Sequence, residues 1–294
     1  MGCGRDSGRE KGEDKGDISM DGRCGAQAGF ADINGAKIYY EICGTGTPLI
    51  MLHAGIADSR MWQQQFEYFS QHYKVVTYDL RGFGKTGMPE GPYAHYRDLA
   101  GLLDTLGIDS AIFMGCSMGG STAIDFALEY PSRVRGLVLV GSGVDGYKIE
   151  DKGTIENFKQ FEKAIGDNDL EKAADLWIQL WVVGPSRSPE RFDQEIIALA
   201  RDMILTYFHN NPLKGEEQGP EELGIDRLAE ITVPALIAVG DLDAPDLMTI
   251  ADLLERALAD PKKITIPETA HLPNLEKPEA FNALVHQFLR EAGL

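Results

Sequence analysis

Apolar positions along the chain follow two rhythms. Short unbroken apolar runs suit strands buried on both faces, and stretches with apolar residues three and four apart suit helices that cover them. "AKIYYEIC" (36–43) predicts an antiparallel strand leading through Gly44-Thr45-Gly46 into the strand "PLIMLHAG" (48–55). A helix over "MWQQQFEYF" (61–69) precedes the strand "YKVVTYDL" (73–80), and the helically spaced "YRDLAGLLDTLGI" (96–108) feeds the run Ala111–Met114. "RVRGLVLVGSG" (133–143), "VPALIAVGD" (233–241) and "KKITIPET" (262–269) read as further strands. The last helix carries Phe281, Leu284, Val285, Phe288 and Leu289 on one face. Strands separated by helices predict an α/β fold: a mostly parallel central sheet with helices on both faces.

The alternation breaks once. Between Gly143 and Val233 no convincing strand is legible, and a stretch of that length is too long for a structureless loop. Leu170, Ala173, Ala174, Trp177, Leu180 and Trp181 share helical spacing up to Gly184-Pro185, and 191–208 reads as another helix. Residues 146–228 are therefore expected to form an inserted helical cap between two core segments, 28–145 and 229–294. Trp177, Trp181, Met203, Tyr207 and Phe208 are helix-packing residues by default. Some should still face a pocket, with Trp177, Trp181 and Phe208 the candidates. Residues 1–27 differ in kind. "GRDSGREKGEDKGDIS" places glycine every fourth residue among mixed charges and is expected to be a disordered leader. It lacks the apolar h-region of a secretory signal, and Asp6 stands where a myristoylation motif needs Ser or Thr.

Charge narrows the function classes. With 28 Lys and Arg against 46 Asp and Glu, the net charge is −18, which argues against a nucleic-acid or anionic-lipid surface. No run of apolar residues is long enough to span a membrane. The cysteines Cys3, Cys24, Cys43 and Cys116 show no C-x-x-C or metal spacing, so reduced thiols in a cytoplasmic protein are expected. "RGFGKTG" (81–87) lacks the first glycine of a phosphate loop, having Asp79 there, and "GTG" (44–46) precedes a strand instead of following one. Neither predicts a cofactor, and none is expected. The expected partner is a small molecule.

The chemistry concentrates around one serine. Gly115-Cys116-Ser117-Met118-Gly119 fits G-x-S-x-G, with a strand before it and helical spacing at Ala123, Ile124, Ala127 and Tyr130 after it. Such a motif arises by chance in about a tenth of chains this long, so context decides. Downstream, "VGDLD" ends a strand and "TAHLPNLEKP" precedes the final helix. With these features in order, the core resembles the α/β-hydrolase superfamily, whose triad runs Ser, Asp or Glu, then His. The resemblance implies Ser117 as nucleophile, Asp243 as acid and His271 as base. Asp241, Asp246 and Asp145 stay open as alternative acids.

The same resemblance implies an oxyanion hole from the N–H of Met118 and one from "LHAGIA", on Gly55 or, because Ala54 stands where glycine is usual, on Ala54. It also implies that His53, Asp79 and Arg81 are loop scaffolding and that the side chain of Cys116 turns into the core. His72, His95, His209 and His286 match no motif and read as surface or helix-face residues. The expected activity is a cofactor-free serine hydrolase cleaving carboxylic esters of small or medium acids through an acyl-enzyme, as in capped carboxylesterases and enol-lactonases. Lactonase, perhydrolase or haloperoxidase-like and carbon–carbon bond hydrolase activities are the alternatives. A ligand receptor on the same fold is a further one, which the complete triad disfavours.

Overall fold

The computed structural model describes residues 19–21, 25–210 and 215–294. In chain order the strands are β1 (Ser19–Asp21), β2 (Ala26–Ile33), β3 (Ala36–Cys43), β4 (Pro48–Leu52), β5 (Lys74–Tyr78), β6 (Gly91–Tyr93), β7 (Ala111–Cys116), β8 (Val134–Val140), β9 (Gly215–Glu217), β10 (Ala235–Gly240) and β11 (Pro261–Ile266). The helices are α1 (Gln63–Phe69), α2 (His95–Thr105), α3 (Met118–Glu129), α4 (Lys152–Gly166), α5 (Leu170–Trp177), α6 (Gln194–His209), α7 (Gly224–Arg227), α8 (Pro245–Ala257), α9 (Pro273–Glu276) and α10 (Pro278–Glu291). Nine strands form one sheet in the order β1-β2-β3-β5-β4-β7-β8-β10-β11. Pairing is antiparallel from β1 to β5 and parallel from β5 onward.

The central strands are apolar throughout because both faces are covered. Along β4, Ile50 and Leu52 enter one core with Leu99, Phe113 and Phe126, while Leu49 and Met51 enter the other with Trp62, Phe281 and Phe288. The segment after β8 is helical, and Asp151, Asp169 and Asp193 cap α4, α5 and α6 by accepting from backbone N–H groups. A π-helical turn, Ile178–Val183, continues α5 until Gly184 (φ 93°) ends it.

Three expectations need correction. The leader was expected to run to residue 27, yet 19–21 pair antiparallel with 26–28 and β2 begins at Ala26. The rest of the leader lies outside the described residues. A three-residue strand, β9, sits in the stretch that reads as strandless and pairs parallel with β6. Three residues are too few for a period-two pattern. Finally, Cys43 is disulfide-bonded, so its thiol is not reduced and the cytoplasmic expectation loses that support. Cys116 is free and buried. Among the described residues, no helix is long and apolar enough to cross a membrane.

Candidate active site

Ser117 sits between β7 and α3 with φ 53° and ψ −115°, a backbone conformation that costs a non-glycine residue about 1–3 kcal/mol. Its surroundings hold it there. The Ser117 N–H donates to the Val140 carbonyl at 2.9 Å, and the Ser117 carbonyl accepts from Ser121 (3.0 Å) and Gly143 (3.1 Å). The flanking glycines are a packing requirement. A Cβ on Gly115 would lie 2.3 Å from the Gly119 carbonyl oxygen, and one on Gly119 would lie 2.4 Å from that of Leu52. Cys116 turns into the core, and burial pushes its thiol pKa up.

His271 and Asp243 arrive on the loops after β11 and β10. His271 Nδ1 donates to Asp243 Oδ2 at 3.0 Å, with both residues buried, and Asp243 Oδ1 accepts from the Ala244 N–H at 2.7 Å. The two loops are stapled together: the Leu242 N–H donates to the Thr269 carbonyl at 2.9 Å. The Ala270 N–H donates to Glu276 (2.7 Å), whose other oxygen accepts from Arg187 (2.6 Å), so the helical segment braces the histidine loop. The alternative acids have other partners. Asp246 accepts from Tyr147, Glu150 and Asp151, and Asp241 faces solvent. The Asp145 backbone carbonyl accepts from the Ile225 N–H, and its carboxylate lies near Asp125 on α3. Gly141 went unremarked in the sequence. Its φ is 46°, and a Cβ there would lie 2.9 Å from His271 Nδ1.

The turn after β4 supplies the other wall. His53 is buried, its Nε2 accepts from the Leu80 N–H (2.9 Å) and its Nδ1 donates to the Ala54 carbonyl (2.8 Å). Burial lowers its pKa, which favours the neutral ring this bonding requires. Asp79 accepts from Ser59 and Lys85 N–H groups, and Arg81 forms a two-pronged buried pair with Asp98 at 2.8 and 2.9 Å. The Ala54 N–H is engaged by Met61 Sδ at 3.2 Å. Among the described residues no acceptor engages the N–H of Gly55 or Met118, which leaves Gly55 the freer donor of the turn. The next residue, Ile56, is strained at φ 53°, an outlier for a β-branched side chain that no sequence signal marked.

Ser117, Met118, His271, Ala54 and Gly55 line one cavity of about 650 Å³. Trp177 and Trp181 also line it, and the Trp181 and His271 rings lie 4.7 Å apart. Phe208 is not among the lining residues and packs against Phe161 and Tyr207 instead. His95, read as a surface or helix-face residue, is 5% exposed and lines the cavity. Only the fold brings the start of α2 there. Trp181 Nε1 and His95 Nε2 are buried without a hydrogen-bond partner among the described residues. No cluster of three or more His, Cys, Asp or Glu among the described residues could hold a metal ion.

A family model for the alpha/beta hydrolase fold matches residues 47–278. The chain belongs to that family. It is similar to a 2-hydroxy-6-oxononadienedioate/2-hydroxy-6-oxononatrienedioate hydrolase of Burkholderia vietnamiensis, 32% identical over 86% of this chain and 91% of that protein. Among solved structures, it resembles the enol-lactonase of Burkholderia xenovorans LB400 (TM-score 0.74, 26% identity, 89% of this chain and 99% of that one). It also resembles a thermophilic esterase of Thermogutta terrifontis (TM-score 0.70, 26% identity, 87% and 94%).

On α3, the helix that follows Ser117, this α/β hydrolase carries a misfit carboxyl. Burial, with Asp145, Glu217 and Glu129 nearby, pushes the Asp125 pKa up to about 7, and its Oδ1 has no hydrogen-bond partner. A carboxyl raised in the folded state contributes stability below the unfolded pKa, near 4, and that contribution is lost as pH rises through about 7. Asp125→Asn is therefore expected to raise Tm clearly in mildly alkaline buffer and hardly at all near pH ~4. Melting curves of both proteins across that range check it, and an equal shift at every pH would refute it.

Proposed function

We propose that the protein is a serine hydrolase that cleaves carboxylic esters of small or medium acids through an acyl-enzyme. One observation carries the reading: Ser117, strained on its turn, shares a cavity with His271, whose far ring nitrogen is hydrogen-bonded to buried Asp243 at 3.0 Å. A serine hydroxyl is a weak nucleophile until a base takes its proton during attack. In this reading His271 Nε2 takes the Ser117 proton as Oγ bonds to the ester carbon, and Asp243 stabilises the imidazolium. The carbonyl oxygen becomes an oxyanion held by the N–H groups of Met118 and Gly55. Collapse expels the alcohol, which takes the proton from His271. Water then repeats the cycle and releases the acid.

Residues 146–228 would act as a cap that limits the acyl chain, because Trp177, Trp181 and Met203 roof the cavity. A lactone is an internal ester, so lactonase activity is the second reading, favoured by the likeness to the enol-lactonase. A dicarboxylate substrate such as that named for the Burkholderia vietnamiensis relative is less well matched. Among the described residues the charged ones lining the cavity are Glu162 and Glu217, with no Lys or Arg.

Fluorophosphonate labelling followed by an ester panel of graded acyl length tests the proposal. Label is expected on Ser117. Each methylene that fits contributes about 0.8 kcal/mol, roughly fourfold, whereas one too many forces strain. The expected kcat/KM rises from acetate to butyrate or hexanoate and falls sharply by dodecanoate. A profile still climbing at dodecanoate would mean an open site and refute the cap's role, and no labelling would refute the serine chemistry.

A further inference from the structure

The cavity lining contains two sets of rings. One is apolar, with Phe158, Phe161, Trp177 and Trp181 in mutual ring contact. The other is polar. Tyr93 and His95 rings lie 5.1 Å apart, and His95 Nε2 stands 3.8 Å from Glu217 Oε1, too far for a hydrogen bond. His95 is almost completely buried, and its Nε2 has no hydrogen-bond partner among the described residues. A buried polar atom without a partner is costly, so the gap is suited to a group that bonds both side chains.

The same two residues, with Met118, border a second hollow of about 50 Å³, and Asp125 with its unpartnered oxygen borders it too. That is room for a few waters or one small polar substituent. Burial lowers the His95 pKa to about 3, so its ring is neutral at ordinary pH. Around His95 the polar groups thus include the carboxyls of Glu217 and Asp125 and a neutral imidazole, and among the described residues no Lys or Arg lines either space. An anion meets like charge there. An ammonium would have to give up part of its water to reach the buried Nε2 of His95. An uncharged donor avoids both penalties.

We propose that the substrate carries, on one side of its scissile bond, an uncharged hydrogen-bond donor, a hydroxyl or an amide N–H, seated between His95 and Glu217. This names the substrate class for the ester-hydrolase reading and rests on it. The donor gives its hydrogen to the Glu217 carboxylate, and an oxygen of the same group, the hydroxyl's own or the amide carbonyl's, accepts from His95 with its ring proton on Nε2, while the apolar remainder of the substrate lies along the tryptophan wall.

The test compares p-nitrophenyl butyrate, pentanoate and hexanoate whose chain ends are methyl, hydroxyl, acetamido, ammonium or carboxylate. A mirror set of hexanoate esters places the same ends on the alcohol. On one side of the bond, hydroxyl or acetamido ends are expected to raise kcat/KM about five- to twenty-fold over methyl, the range of one or two net hydrogen bonds. Carboxylate ends are expected to lower it at least tenfold or so. In His95→Phe and Glu217→Leu the donor-to-methyl ratio should collapse to about one. Either variant suffices if the other fails to fold. Methyl or ammonium ends preferred on both sides, carboxylate ends accepted equally, or a ratio unmoved by both substitutions would each overturn the proposal.

If the wild type hydrolyses none of these esters, the hydrolase reading fails separately. Calorimetric binding of the same set to Ser117→Ala then decides the subsite by itself. Donor-ended compounds binding tightest would support it, and equal or weaker binding would overturn it.

Discussion

Ser117→Ala is expected to lower kcat on a p-nitrophenyl ester by about 10⁵–10⁶, leaving the residual rate that oxyanion donors and binding provide on their own. The loss should be this large because everything else around the serine exists to aim one oxygen. Its φ of 53° is held by bonds to Val140, Ser121 and Gly143, and glycines at 115 and 119 let the helix close against the strand. Alanine keeps that backbone and removes only the hydroxyl, so KM and Tm should move little. Burst and steady-state kinetics on purified variant measure it. A folded variant retaining a tenth of wild-type activity would show that the nucleophile lies elsewhere.

The second large effect concerns the acid. Asp243→Asn is expected to cost roughly 10³–10⁴ in kcat. The asparagine can still accept from the Ala244 N–H, but turning its amide toward His271 Nδ1 makes that nitrogen an acceptor and puts the ring proton on Nε2. A protonated Nε2 cannot receive the serine proton. Asp241→Asn, at a solvent-facing position, and Asp145→Asn should each cost under about tenfold. Asp246→Asn should lower Tm with a similarly small kcat change, because Asp246 ties Tyr147, Glu150 and Asp151 at the start of the helical segment. A reversed ranking of Asp243 and Asp241 would reassign the acid while leaving the hydrolase proposal intact.

Much of this molecule is encoded in local pattern. Strands buried on both faces are apolar at nearly every position, so β4, β7, β8 (apart from exposed Arg135) and β10 announce themselves as short apolar runs. The turn around Ser117 is legible for a similar reason: its tight closure excludes side chains, and glycine is the residue that records such an exclusion. His271 and Asp243 follow strand ends, where the pattern changes from apolar run to polar loop.

Other features depend on residues far apart in the chain. Which aspartate meets His271 depends on how two loops are stapled, through Leu242 and Thr269, and no spacing along "GDLD" distinguishes one carboxylate from its neighbours. Ile56 sits at a positive φ that a β-branched residue rarely adopts, so its identity argues against the conformation the fold imposes. His95 begins a helix like many others and lines the cavity only because α2 and β9 converge there. Phe208 and Trp181 have equally bulky rings at helical spacing, yet one packs against Phe161 and the other against His271. The sequence alone determined the alternation of strand and helix, the helical insertion and the strained serine turn, because backbone sterics and burial constrain residue type position by position. The tertiary structure decided which aspartate meets His271, which N–H groups of the turn after β4 stay unengaged and the shape of the cavity, because each depends on a distance between segments that the chain's order leaves open.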